Sequence, residues 1–248
     1  MKIAAAGDVH ASQPTRSRLE EAFLGVQADI DLVLLAGDLT THGSLDQARV
    51  FCHAARHLSV PVVAVLGNHD CHEGRVDEIR DILTDAGVLV LDRSWTVVDV
   101  GGVDVGIVGS KGFMGGFAGS SLPDFGEPLL RRVYAETSAE VAALEHGLQE
   151  VTGCALRIVL LHYAPTDQTL HGEPVGIHTY LGSGRLATPI AEYQPDIVLH
   201  GHAHAGSFEG RIGDTPVYNV AVHVTGRDFY VFDLEVTPRH SHVEVESP

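Results

Sequence analysis

Residues 62–70 read Val62-Val63-Ala64-Val65-Leu66-Gly67-Asn68-His69-Asp70: an unbroken apolar run, a glycine, then three polar side chains. A continuous Val/Ile/Leu run of strand length belongs to a strand buried on both faces, as in a parallel sheet covered on each side. The same grammar recurs upstream, where residues 3–7 end on Asp8 and residues 32–37 end on Asp38, each through a glycine. Asp8, Asp38 and Asn68 stand at equal intervals of 30 residues, about the length of one strand–helix–strand repeat. Helical character at 15–28 and 44–58 completes the pattern, so the chain should open as βαβαβ with parallel strands.

Working outward, a helix is expected near residues 75–86. Alternation at 95–100 and 103–108 around Gly101-Gly102 predicts a hairpin. Residues 109–126 are rich in glycine and lack either periodicity, which marks a functional or disordered loop. Thr137 and Glu140 have the spacing of a capping box, so a helix should start there, with Val141, Leu144, Leu148 and Val151 as its apolar face. Two further buried strands end before His162 and His200. The last part reads as strands with turns at Gly213-Asp214 and Gly226-Arg227, and the tail 238–248 should be loose. An α/β start with a hairpin-rich end fits two packed sheets flanked by helices, as one domain over residues 1–237.

The 248 residues carry 33 acidic and 16 basic side chains, a formal charge of −17. Such a field repels a nucleic-acid backbone and favours a small phosphorylated substrate over a polymer. No apolar stretch approaches the ~20 residues of a membrane span. Cys52, Cys71 and Cys154 form no CxxC pair, and three cysteines are too few for a disulfide framework, so a reducing cytoplasm is expected. The unusual count is 16 histidines against two lysines, Lys2 and Lys111, which favours metal or acid–base chemistry.

Each of the five buried strands is followed by a side chain able to bind a metal: Asp8 and His10, Asp38, Asn68, His162, then His202 and His204. In open α/β sheets this carboxyl edge is where ligands bind. Carboxylate, amide and imidazole donors without thiolate suit Mn, Fe or Zn. There is no G-x-S-x-G elbow, no Gly-Lys pair of a Walker A loop and no G-x-G-x-x-G after a strand.

These blocks, Asp8-Val9-His10, Gly37-Asp38, Gly67-Asn68-His69-Asp70, His162 and Gly201-His202-Ala203-His204, resemble the calcineurin-like metallophosphoesterase family from Asp8 to His204 with no ligand position missing. The resemblance implies a four-layer α/β/β/α sandwich of two mixed sheets. It also implies a dinuclear metal-dependent phosphoesterase, in which one ion takes Asp8, His10 and His204, a second takes Asn68, His162 and His202, and Asp38 bridges them. Hydrolysis of a phosphomonoester or small phosphodiester by a metal-bound hydroxide is expected. His69 is the candidate to stabilise the transition state or protonate the leaving oxygen, with Asp70 orienting its ring. Residues 109–126, with Lys111, Phe113 and Phe117, are read either as a lid whose lysine meets phosphate or as a surface loop. His171 and His178 are further candidate substrate contacts. The alternatives are a nuclease-like phosphodiesterase and a non-catalytic scaffold of the same fold.

Overall fold

A computed structural model describes residues 1–26 and 29–236, so the tail expected to be loose lies outside the described residues. The chain begins with β1 (Lys2–Ala6), α1 (Arg16–Val26), β2 (Leu32–Ala36), α2 (Leu45–Ala55), β3 (Val62–Val65), α3 (Val76–Asp85) and β4 (Val88–Leu91). Two hairpins follow, β5 (Ser94–Val100) with β6 (Val103–Gly109) and the small β7 (Gly116–Phe117) with β8 (Ser120–Ser121). Then come α4 (Pro128–Glu150), β9 (Leu156–Leu160), α5 (His178–Leu181), α6 (Ala187–Tyr193) and β10 (Ile197–His200). The described chain closes with β11 (Glu209–Ile212), β12 (Thr215–Asn219), α7 (Val222–Thr225) and β13 (Tyr230–Asp233).

One sheet runs β13-β1-β2-β3-β4, parallel except for β13. The other runs β11-β12-β10-β9-β6-β5, with parallel pairs at its centre and antiparallel pairs at both ends. Strand side chains alternate faces. Ile3, Ala5, Leu32 and Leu34 therefore pack between the sheets against Ile107, Ile158 and Leu199, while Ala4, Val33 and Leu35 face α1 to α3 with Phe23, Phe51 and Ile79. On the far side Val159 and Val198 meet Leu144 and Leu148 of α4 and Ile190 of α6. The four expected layers are present; the central strands are buried on both faces, while the edge strands β5 and β11 expose alternate residues. Full burial of each Leu, Ile or Val contributes about 1.5–3 kcal/mol, enough in sum to hold strained loops at the strand ends.

Two sequence expectations change. Thr137 and Glu140 do not start a helix, because α4 already begins at Pro128, where proline's fixed φ and missing N–H suit the first turn. The same i,i+3 spacing that mimics a capping box puts both side chains on one helix face. Both are buried, and they hold the neighbouring segment: Thr137 Oγ1 donates to Met114 O at 2.6 Å, and Glu140 Oε2 accepts the Gly112 N–H at 3.1 Å and the Ser110 hydroxyl. Residues 109–126 are accordingly anchored along their first half. Gly115 and Gly116 N–H groups donate to Thr179 O and Gly182 O at 3.0 and 2.9 Å, and the exposed part is the tip from residue 118.

Candidate metal centre

The strand ends bend sharply. Asp8, His10, Asp38 and His202 have φ of 58°, 47°, 52° and 71°, four of the six non-glycine positive-φ residues among the described residues. A left-handed residue with a Cβ costs about 1–3 kcal/mol and collects at functional sites. The bends interlock, since Asp8 N–H donates to Gly37 O at 3.0 Å and His10 N–H to Asp38 O at 3.1 Å. Two glycines make room. A Cβ on Gly67 would collide with Asp38 Oδ1, and one on Gly201 with Asp8 Oδ2.

All seven expected metal ligands converge. Side-chain donor atoms of Asp8, His10, Asp38 and His204 lie within 4.8 Å of one another, as do those of Asp38, His162 and His202, with Asp38 common to both groups. Asn68 Oδ1 lies 2.8 Å from His162 Nε2, which places the amide with the second group. Asp8 Oδ1 is 2.8 Å from His204 Nε2, and its Oδ2 accepts the His202 N–H at 2.9 Å. His162 Nδ1 donates to Ala36 O at 2.9 Å, leaving Nε2 toward Asp38 Oδ1 at 3.4 Å. Asp38 Oδ1 also accepts the His69 N–H at 2.9 Å, whereas Asp38 Oδ2 is buried with no hydrogen-bond partner among the described residues.

The electrostatics favour cation binding. Burial opposes ionisation of Asp8, but the His204 hydrogen bond and the nearby His162 bring its carboxyl down to about 2. Burial raises Asp38 above the ordinary carboxylate value. Burial pushes His10 down to about 4 and, with help from His162, His202 down to about 3, so both imidazoles are neutral and free to coordinate. The hydrogen bond to Asp8 raises His204 instead. A buried, unpartnered carboxylate oxygen facing neutral nitrogen donors is the environment a divalent cation satisfies.

His69 lies beside the cluster, its Nε2 3.9 Å from Asp38 Oδ2 and its side chain 40% exposed. Asp70 does not orient its ring. That task falls to the Thr41 carbonyl, 2.7 Å from His69 Nδ1. Asp70 is fully buried and accepts from Leu39 N, Thr40 N, Thr40 Oγ1 and Gly67 N at 3.1, 2.8, 2.6 and 2.8 Å, tying the Asp38 loop to the Asn68 loop. A carboxylate three residues after Gly67 reaches back to free backbone donors more readily than forward to its neighbour's ring.

Lys111 sits one aromatic ring away, its Nζ 4.5 Å from the Phe113 centroid and 5.2 Å from that of Tyr163, which packs on His202 at 4.4 Å. His178 Nε2 contacts Glu173 O at 3.3 Å, and His171 is exposed; neither joins the ligand groups. The chain near them does reach the site, through Tyr180 O at 3.3 Å from His202 Nε2. His223 lies outside the ligand set that the sequence motifs mark. Its ring stacks on His204 at 4.2 Å and 12°, from the short α7, whose single turn is too brief to leave a periodic signal. His200, at the end of β10, is fully buried and in sequence is indistinguishable from a strand terminus.

The chain belongs to the calcineurin-like phosphoesterase family, whose model matches residues 1–206. A Rhodopseudomonas palustris protein named as a cyclic nucleotide phosphodiesterase is 24% identical over 187 residues, covering 71% of this chain and 57% of the relative, so this chain matches little more than half of that protein's length. A phosphopantetheinyl hydrolase from Mycobacterium tuberculosis shares the fold, with a TM-score of 0.71 at 15% identity over 96% of this chain and 98% of that one. The anchor protein of the inner membrane complex of Plasmodium shares it too, with a TM-score of 0.57 at 12% identity over 90% of this chain and 72% of its own. No helix among the described residues is long and apolar enough to cross a membrane.

Proposed function

We propose that this chain hydrolyses a phosphomonoester or a small phosphodiester at a dinuclear metal centre, with Asp8, His10 and His204 on one ion, Asn68, His162 and His202 on the other, and Asp38 between them. Asp38, common to both donor groups and with its buried Oδ2 lacking a hydrogen-bond partner among the described residues, carries the reading. The donor set is oxygen and nitrogen only, which suits Mn, Fe or Zn. Two such ions would lower the pKa of a shared water and neutralise charge on the phosphoryl group.

The protein's own residues supply the rest. Neutral His10 and His202 need no deprotonation before they bind. His69, when protonated, keeps Nδ1–H on the Thr41 carbonyl and turns Nε2–H toward the reacting oxygens, which suits a general acid. Lys111, held over Phe113 and Tyr163, is close enough to steer an anionic group toward the site. Asp70 acts through the backbone, fixing two ligand loops against each other. The charge of −17 argues against polynucleotide substrates, and the intact ligand set argues against a pure scaffold.

A panel comparing nitrophenyl phosphate with its bis ester, run with Mn-loaded protein, tests the reading. Turnover of at least one ester, abolished by chelation and by Asn68→Ala, is expected. Failure on both esters and on small nucleotide esters would refute it.

A further inference from the structure

His200 is fully buried beside the proposed centre but contributes no ligand atom to it. Its ring makes two hydrogen bonds: Nδ1 lies 2.8 Å from Gly201 O, and Nε2 lies 2.9 Å from Thr169 Oγ1. A carbonyl can only accept, so Nδ1 carries the proton, while Nε2 faces the Thr169 hydroxyl, which also lies 3.2 Å from Thr166 O. The Gly201 carbonyl and the His202 N–H are the two ends of one peptide unit. Its N–H end donates to Asp8 Oδ2 at 2.9 Å, so the unit is held from both sides.

That clamp matters because of the residue it acts on. Position 201 has to be glycine, since a Cβ there would strike Asp8 Oδ2. Glycine leaves the backbone free to rotate, which is the wrong property for a loop that must present two ligands in opposite directions. His202 follows at φ 71°, and the two histidines of this loop fall in different donor groups, His202 with His162 and His204 with Asp8. Thr169 extends the brace, because its carbonyl accepts the Ser207 N–H at 3.0 Å on the far side of the same loop.

We propose that His200 is a positioning residue for the metal centre, whose Nδ1–H bond to Gly201 fixes the peptide that orients Asp8 and divides His202 from His204. This inference rests on the dinuclear reading above. The Gly201 carbonyl also accepts the Ala203 N–H at 2.8 Å, so the His200 role is the second of two bonds to that oxygen and separates from a general packing role by chemistry.

The test compares His200→Asn, which keeps an N–H near the Nδ1 position, with His200→Gln, which carries its amide at the Nε2 position and loses the Gly201 bond. Metal-free full-length protein of each is titrated with Mn, the coupled two-Mn paramagnetic resonance signal is recorded, and the metal-free melting temperature is measured. His200→Gln should weaken Mn binding about 10–100-fold and lose the coupled signal, as for other residues that orient ligands. His200→Asn should retain most of the affinity and the signal at a similar melting temperature. Equal affinity for both variants, whether native or reduced alike in step with melting temperature, would overturn the proposal. A wild-type chain that takes up no Mn pair would instead bring down the dinuclear reading itself, and this inference with it.

Discussion

The His69 backbone N–H donates to Asp38 Oδ1 at 2.9 Å, while the second oxygen of the same buried carboxylate has no hydrogen-bond partner among the described residues. One residue thus has half its hydrogen-bonding capacity spent on organising the Asn68-His69 loop and half left over for a cation. In the metal-free chain that free oxygen is a liability, because a buried charge without a partner is costly. Asp38→Asn should therefore leave the metal-free melting temperature unchanged or raise it by a few degrees, about 2–4 °C per kcal/mol for a chain of this size. Mn uptake should fall for both ions together. Loss of only one ion in metal analysis would count against a shared ligand.

His69 is outside both donor groups, so its removal should separate chemistry from metal binding. His69→Ala is expected to lower kcat by about 10²–10⁴ with Mn content unchanged, in line with loss of a general acid. Steady-state kinetics alongside metal analysis of the same preparation would check it. A variant that loses metal in proportion to activity would make His69 a ligand or a structural post.

Close approach at Gly67 gives a stability prediction with an internal control. Gly67→Ala drives a Cβ into Asp38 Oδ1 and should cost about 1–3 kcal/mol or more, together with metal binding. Gly25, in α1, has nothing within 4 Å of an added Cβ. Gly25→Ala should stabilise the chain by about 0.4–1 kcal/mol. Urea unfolding of the two variants measures the contrast.

Acidity should enter through His204. Its hydrogen bond to Asp8 raises its pKa, so it holds a proton to higher pH than an ordinary imidazole, and a cation must displace that proton. The stability from this raised pKa is complete below the ordinary imidazole value and is lost as pH rises through the raised one. The depressed Asp8 carboxyl contributes stability above the ordinary carboxylate value, lost as pH falls toward about 2. Mn affinity should therefore climb as pH rises from the ordinary imidazole value through the raised one, with proton release on binding, while His10 and His202, already neutral, add nothing to the slope. Calorimetric titrations across that interval in buffers of different ionisation enthalpy would reveal a flat response if His204 is not the controlling group.

The sheets were legible because residues 3–7, 32–37 and 62–67 are apolar without a break, a pattern that only two-sided burial explains. The candidate ligands were legible because each such run ends in a donor. Other features depend on contacts between distant segments and leave no local trace. Glu140 looks like a cap and in fact holds Ser110 and Gly112, 30 and 28 residues away in the chain. Asp70 looks like a partner for the adjacent His69 and is instead satisfied by Thr40, 30 residues upstream. His223 reaches His204 from a four-residue helix, shorter than any periodicity can register.

Metal content per chain is the most direct test of the centre. After removal of metal and reconstitution with excess Mn, elemental analysis of desalted protein should return about two Mn per chain, with a spin-coupled resonance signal. A chain that retains one Mn or none, with no coupled signal, would contradict the dinuclear site built on Asp38.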